Sequence, residues 1–163
     1  MGLRQDETGA SRSHRVTRVV SFPIVRLDGE LPLPTYAMPG DAGCDLLAAE
    51  GVTLKAGGGR AMIPTGIAVA IPSGFAGFVQ PRSGLAWQHG VTCVNSPGLI
   101  DSGYRDELRV LLVNTDPSED YEVQRGDRIA QLVIQRVEQA EWDVVDSLDE
   151  TERGLGGFGH SGR

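Results

Sequence analysis

The chain is predicted to be an all-β protein: a sandwich, a jelly roll or a small barrel. Three observations carry this expectation. Short β-rich runs succeed one another from Val19 onward. Turn signals separate them at intervals of about 8–12 residues. They are Pro39-Gly40, Gly57–Gly59, Pro72-Ser73-Gly74, Pro97-Gly98, Asp116-Pro117 and Arg125-Gly126-Asp127. No strand alternates with a long helix, which sets aside a doubly wound α/β fold.

The first expected strand is 19–27, interrupted by Pro23. Runs at 44–48, 61–63, 66–71 and 74–80 follow, then 91–94, 108–114 and 128–137. The last run alternates well. Ala130, Leu132 and Ile134 share one face, and Gln131, Val133 and Gln135 the other. Ser83–His89 is the one segment that reads as a short helix. Residues 1–18 are polar and lack periodicity, so they are expected to be a disordered tail, with the β domain over 19–142. Residues 143–163 turn acidic and then glycine-rich. Glycine loses the most entropy on ordering, so a flexible arm is expected there. Arg153 and Phe158 are odd in a mere spacer; glycine amides, a guanidinium and an aromatic ring together suit a segment that orders over a ligand.

Composition narrows the function. With 163 residues, 40% hydrophobic and 23% charged, the chain fits one domain with a sizeable core. Its apolar runs fall short of the roughly 20 residues that a membrane-spanning helix needs. No secretory signal is recognisable, since Ser21 and Pro23 cut short the apolar run after Arg18, and a cytoplasmic location is expected. Cys44 and Cys93 stand far apart among apolar neighbours and read as reduced, partly buried thiols. A net charge of −7 argues against general nucleic-acid binding but leaves room for a local anion site built from a few arginines.

Several motifs are set aside. Gly154-x-Gly156-x-x-Gly159 has dinucleotide-fingerprint spacing but lacks a following helix. His14, His89 and His160 show no metal spacing, and neither a zinc deaminase signature nor a Gly-x-Ser-x-Gly elbow is present.

Three segments can carry chemistry. Pro81-Arg-Ser-Gly-Leu-Ala86 ends a strand and opens the helix. Arg82 there is a planar donor suited to phosphate, and Ser83 is either a helix cap or a phosphate donor. Asn95–Tyr104 reads as a hairpin or tight loop presenting an amide, a carboxylate and a phenol. A flat base can pair with Asn95 and the exposed backbone, Tyr104 can pack on a sugar, and Asp101 can hold and deprotonate a water. Asp41 and Asp45 share a face if both lie on a strand, where they can hold Mg²⁺ directly or through water. Taken alone, Asp41 reads better as a solvated turn carboxylate.

Five segments together resemble the homotrimeric deoxyuridine triphosphate nucleotidohydrolases, the dUTPases. Asp41-Ala-Gly-Cys-Asp45-Leu resembles their first motif and Pro81-Arg-Ser-Gly-Leu-Ala86 the second. Gly98-Leu-Ile-Asp-Ser-Gly-Tyr104 is similar to the third, Gly126-Asp-Arg-Ile-Ala-Gln131-Leu to the fourth, and the stretch from Arg153 to Gly162 to the fifth. The resemblance spans about residues 19–163. It implies a jelly-roll homotrimer that uses Mg²⁺ to hydrolyse dUTP to dUMP and pyrophosphate. Such an activity keeps uracil out of DNA and supplies dUMP for thymidylate synthesis.

By the same resemblance, Asp101 activates the water that attacks the α-phosphorus, and Tyr104 packs under the deoxyribose and excludes a 2′-hydroxyl. Asn95 and the backbone of Gly98, Leu99 and Ile100 read uracil, with Arg109 lining that pocket. Arg82, Ser83, Gly84 and Gln131 hold phosphates, and Asp45 places the metal through its water shell. Arg153 grips the γ-phosphate, Phe158 stacks on uracil, and His160 and Ser161 line the phosphate end. From Trp142 the arm can span roughly 65 Å if extended, enough to cover a neighbour's site.

Two positions depart from the family pattern. Cys44 replaces an aromatic residue, with looser local packing expected. Asp106 replaces a glycine, a tolerable exchange even where the glycine serves a positive φ. Two other functions share this set of residues: a dCTP deaminase on the same fold, and a trimeric nucleotide-binding regulator without turnover. The glycine-rich fifth motif favours the hydrolase over the first. The presence of Asp101, Arg153 and Phe158 favours it over the second.

Overall fold

A computed structural model describes residues 19–154 and 157. The expected tail, and Phe158, His160 and Ser161, lie outside the described residues. Among those described, eleven strands and one helix form an antiparallel all-β fold of jelly-roll type. The strands are β1 (Ile24–Arg26), β2 (Gly43–Leu47), β3 (Val52–Leu54), β4 (Arg60–Pro64), β5 (Ile67–Val69) and β6 (Phe75–Pro81). The helix α1 (Ser83–His89) precedes β7 (Val91–Cys93), β8 (Gly98–Ile100), β9 (Arg109–Asn114), β10 (Tyr121–Val123) and β11 (Arg128–Arg136). One sheet runs β2-β11-β6-β8, a second β4-β9-β7, and two ribbons pair β1 with β5 and β3 with β10. No described helix is long and apolar enough to cross a membrane.

The core is built from inward positions of these strands and from residues that flank them. Leu46, Leu54, Ile63, Ile71, Leu108, Leu112 and Ile129 are each at or below 1% exposure, and both larger sheets contribute to one cluster. Burying one such aliphatic side chain contributes about 1.5–3 kcal/mol. Strand β11 keeps the expected alternation: Ala130 and Leu132 are buried, and Ile134 packs against the core. Cys44 and Cys93 are buried free thiols, and burial pushes the Cys93 thiol up to about 11. Cys44 sits within the core with its Sγ 3.5 Å from the Leu132 carbonyl, so the departure there is packed rather than loose.

Three elements escaped the sequence pattern. β3 and β10 have three residues each, too few to show a period. β8 lies inside the segment expected to be a hairpin or loop. Its partner is β6, whereas β7 pairs with β9, so residues 94–97 cross between two sheets as a tight loop and not as a hairpin. The Ser96–Pro97 peptide there is cis. The first strand is also shorter than expected. Pro23 cannot donate to a ladder, and β1 begins only after it.

Gly66 and Gly77 are among the glycines required by close approach. Gly66 has φ +71°, and a Cβ there would lie 2.7 Å from the Asp28 Cβ. A Cβ at Gly77 would meet Ile71 and Leu132 at 2.9 and 3.0 Å, so β6 and the core below it depend on its absence. Gly90 ends α1 in the left-handed conformation, its amide donating to the Ala86 carbonyl at 3.2 Å.

Asn114 is wholly buried at the end of β9. Its Nδ2 donates to the carbonyls of Leu54 (3.1 Å) and Glu119 (2.8 Å), and its Oδ1 accepts from the Asp116 amide at 3.0 Å. Asn114→Ala should therefore destabilise the chain by about 2–4 kcal/mol in urea unfolding, since it strands buried backbone groups. A second tie is ionic. Arg125 pairs with Asp28 and with Glu30 (3.3 Å), and donates to the Ala49 carbonyl at 2.6 Å. The Arg125 guanidinium and the Glu30 amide hold the Asp28 carboxyl at about 2, against an ordinary 3.8. A depressed carboxyl stabilises the fold above its unfolded value and loses that contribution as pH falls. Between about pH 3.8 and 2, Asp28→Asn should accordingly lose less stability on acidification than the parent. Parallel acid titrations followed by circular dichroism test this; equal acid sensitivity would contradict it.

Candidate active site

The first cluster forms around Asp45. The ladder between β2 and β11 places Asp45 directly opposite Gln131, so both side chains project from one face. Gln131 Nε2 donates to Asp45 Oδ1 at 3.3 Å. Arg82 Nε lies 3.3 Å from the same oxygen, and Arg128 Nη1 lies 3.5 Å from Oδ2. Arg82 Nη1 also donates to the Arg128 carbonyl at 3.1 Å. The Asp45 side chain is only 9% exposed. A carboxylate so buried persists because cationic and amide donors replace its water.

Arg128 is a member that sequence alternation misses. A strict period of two puts residues 128 and 131 on opposite faces. The ladder slips between Arg128 and Ala130, so one extra residue is accommodated and Arg128 reaches the Gln131 side. Asp41 stays out of this cluster. It is an exposed turn residue whose Oδ2 accepts from the Met38 amide at 2.8 Å.

Arg82 occupies the N-cap position of α1 in extended conformation, φ −90° and ψ 124°. Ser83 is therefore the first helical residue, not the cap, and no side chain caps this terminus. Ser83 and Gly84 are exposed on its first turn, which carries no acidic residue. A Cβ at Gly84 would meet nothing within 4 Å, so packing does not demand glycine there.

The second cluster runs from Asn95 to Arg109. β8 is the edge strand of its sheet, so among the described residues one rim of the Gly98–Ile100 backbone has no strand partner. Gly98 is buried and Leu99 exposed. A Cβ on Gly98 would stand 3.1 Å from Asn95 Nδ2, which places the amide side chain over this backbone. Asp101 is exposed at the end of β8, and its carbonyl accepts from the Tyr104 amide at 3.1 Å. The Tyr104 hydroxyl donates to the Glu107 carbonyl at 2.8 Å. Arg109 Nε lies 3.5 Å from Glu107 Oε2. Glu107 is a second member that sequence reasoning missed; no spacing singles it out. Asp106 has no positive φ, and its Oδ1 accepts from the Glu107 amide at 2.8 Å. The conformational reason for a glycine at 106 is thus absent from this chain.

The two clusters lie apart. Gly77 of β6 is level with Ile100, which sets Asp101 level with Ala76. Arg82 follows the other end of β6, about 20 Å away at the usual rise per residue. Arg153 is exposed on a turn where the Gly154 amide donates to the Thr151 carbonyl at 2.9 Å.

Among the described residues, no three His, Cys, Asp or Glu side chains converge as a metal cage. Asp45 offers one carboxylate whose two oxygens already face Arg82, Gln131 and Arg128. That donor set fits a Mg²⁺ ion that keeps its waters and takes further oxygens from a phosphate substrate, rather than an ion held by protein alone.

Known proteins resemble this chain over most of its length. The dUTPase family model matches residues 29–162. The chain is 59% identical to a deoxyuridine 5′-triphosphate nucleotidohydrolase of Thermobifida fusca, over 88% of this chain and 79% of that protein. It is 52% identical to one of Rhodococcus erythropolis, over 88% and 87%. Among solved structures it is similar to the dUTPase of Staphylococcus bacteriophage 80alpha with dUpNHpp. That match has a TM-score of 0.81 and 28% identity, and covers 89% of this chain and all of that one. It is also similar to the D95N mutant dUTPase of phage phi11, described with a structural Mg(II) ion. Here the TM-score is 0.72 at 25% identity, over 78% and 98% of the two chains. Five motif-like segments in order, an antiparallel jelly-roll and these relatives point one way: the chain belongs to the dUTPase family.

Proposed function

We propose that the chain hydrolyses dUTP to dUMP and pyrophosphate, and does so as a homotrimer in the cytoplasm, with Mg²⁺ bound to the substrate. What carries this reading is the meeting of Asp45, Arg82 and Gln131. Three segments distant in sequence deliver them to one point, and the family resemblance assigns all three to the phosphates and their metal. The relatives named above are dUTP hydrolases, and one neighbour carries the analogue dUpNHpp.

Phosphoryl chemistry asks for positioning and charge neutralisation more than covalent help. Arg82 supplies a charged fork, and its Nε–Asp45 and Nη1–Arg128 contacts fix its direction. Ser83, Gly84 and Gln131 add donors beside it, and the open space at Gly84 allows backbone to approach a phosphate. Mg²⁺, when bound, neutralises phosphate charge; Asp45 would hold it through water. Asp101 accepts a proton from the attacking water, whose oxygen forms the new bond to the α-phosphorus as pyrophosphate leaves with the bridging oxygen. The edge of β8 and Asn95 pair with the uracil, Tyr104 lies under the sugar, and Arg109 lines that pocket. Arg153, Phe158, His160 and Ser161 belong to an arm, residues 143–163, that closes over the nucleotide and excludes water.

The separation of Asp101 and Arg82 along β6, about 20 Å at the usual rise per residue, supports a shared site. A base must lie within one water of the phosphorus it serves, and Arg82 must touch the same triphosphate. One chain does not bring the two together, whereas adjacent copies in a ring can.

Pyrophosphate release from dUTP, UTP, dCTP and dTTP with Mg²⁺ tests the assignment. Release from dUTP alone is expected; ammonia from dCTP would instead indicate a deaminase, and silence on all four a binding protein. Asp101→Asn should lower kcat by about 10²–10⁴-fold and leave dUTP binding within a few-fold. Unchanged turnover in that variant would remove Asp101 from the mechanism.

A further inference from the structure

We infer that Glu107 is a positioning residue for sugar discrimination, acting through Tyr104. The inference rests on the proposed role of Tyr104 under the deoxyribose. The Tyr104 hydroxyl donates to the Glu107 carbonyl at 2.8 Å, so the ring's tilt is tied to that peptide. The peptide's own N–H, that of Leu108, donates to the Ile67 carbonyl at 2.9 Å, and the Glu107 residue is held at three further points. The Glu107 amide donates to Asp106 Oδ1 at 2.8 Å. Glu107 Oε1 accepts from the buried Gly66 amide at 2.9 Å, and Oε2 faces Arg109 Nε at 3.5 Å. Gly66 is itself anchored, its carbonyl accepting from the amides of Leu27 and Asp28 at 2.8 and 3.0 Å. The phenol of Tyr104 is thus linked to the β4–β5 turn through one side chain that is 18% exposed.

Excluding a 2′-hydroxyl requires a rigid wall. A ring free to swing admits the extra oxygen; a ring whose hydroxyl is pinned does not, because small displacements at a contact surface change discrimination steeply. Glu107 touches neither substrate nor metal in this scheme, and its effect should show in selectivity rather than chemistry. Asp106, the departure from the family glycine, belongs to the same device because its carboxylate occupies the Glu107 amide.

The test is a double-mutant cycle on the ratio of kcat/KM for dUTP to that for UTP. Glu107→Ala and Tyr104→Phe should each lower the ratio by about fivefold or more, the scale of one lost hydrogen bond. The double variant should fall no further than the worse single one. Glu107→Gln keeps an acceptor for Gly66 and should restore most of the ratio. Additive losses, or a Glu107→Ala chain that melts lower with its ratio intact, would overturn the proposal. Tyr104→Ala separates the two levels. If it leaves the ratio unchanged, the sugar-contact role of Tyr104 fails; if it collapses the ratio while Glu107→Ala does not, only the present inference fails.

Discussion

A carboxylate withdrawn from water has to be paired, and the pairing of Asp45 organises much of this molecule. Its two oxygens face Arg82, Arg128 and Gln131, donors that come from the β6–α1 junction and from β11. The sheet order β2-β11-β6 makes these segments neighbours, and the slip in the β11 ladder turns Arg128 inward. In return, the arrangement fixes the direction of Arg82, an arginine that would otherwise sample many rotamers. The same carboxylate thus ties β2 to β11 through Gln131 and aims Arg82, the group proposed to hold phosphate. Substituting an apolar residue of similar shape at 45 would leave Arg82 and Arg128 without their counter-charge and release Arg82 from its fixed direction.

Much of this was legible in the sequence because it rests on local rules. Alternation marked β11, Pro72-Ser73-Gly74 marked the turn into β6, and the span of α1 was read without error. Pro23 signalled an interruption, but the chain settles it by starting β1 later. β8 was hidden because its partner, β6, lies on the far side of a helix and a strand in sequence, and three residues carry no period. Ser83 looked like a cap by type, yet the helix begins one residue earlier than that role requires. Arg128 and Glu107 share one reason for escaping notice. Each acts through a bulge or a loop contact that periodicity does not encode. Asp106 shows the reverse case, where the conformational demand feared from sequence is absent and the side chain gains a hydrogen bond.

The arrangement also says something about assembly. Strand β6 is a ruler with Arg82 beyond one end and Asp101 level with the other. In the proposed reading, a triphosphate bridging Arg82 of one copy to Asp101 of another would make the site a property of the ring and tie catalytic competence to oligomerisation.

That claim is tested most directly by complementation. Asp101→Asn and Arg82→Ala chains, each inactive alone, are co-refolded in equal amounts and assayed for dUTP turnover. Each site would draw its Asp101 and its Arg82 from different copies, so about one quarter of parental activity should return, each intact half being present with even probability. Activity no higher than that of the separate variants, in mixed assemblies of verified composition, would contradict the shared site and place the whole reaction on a single chain.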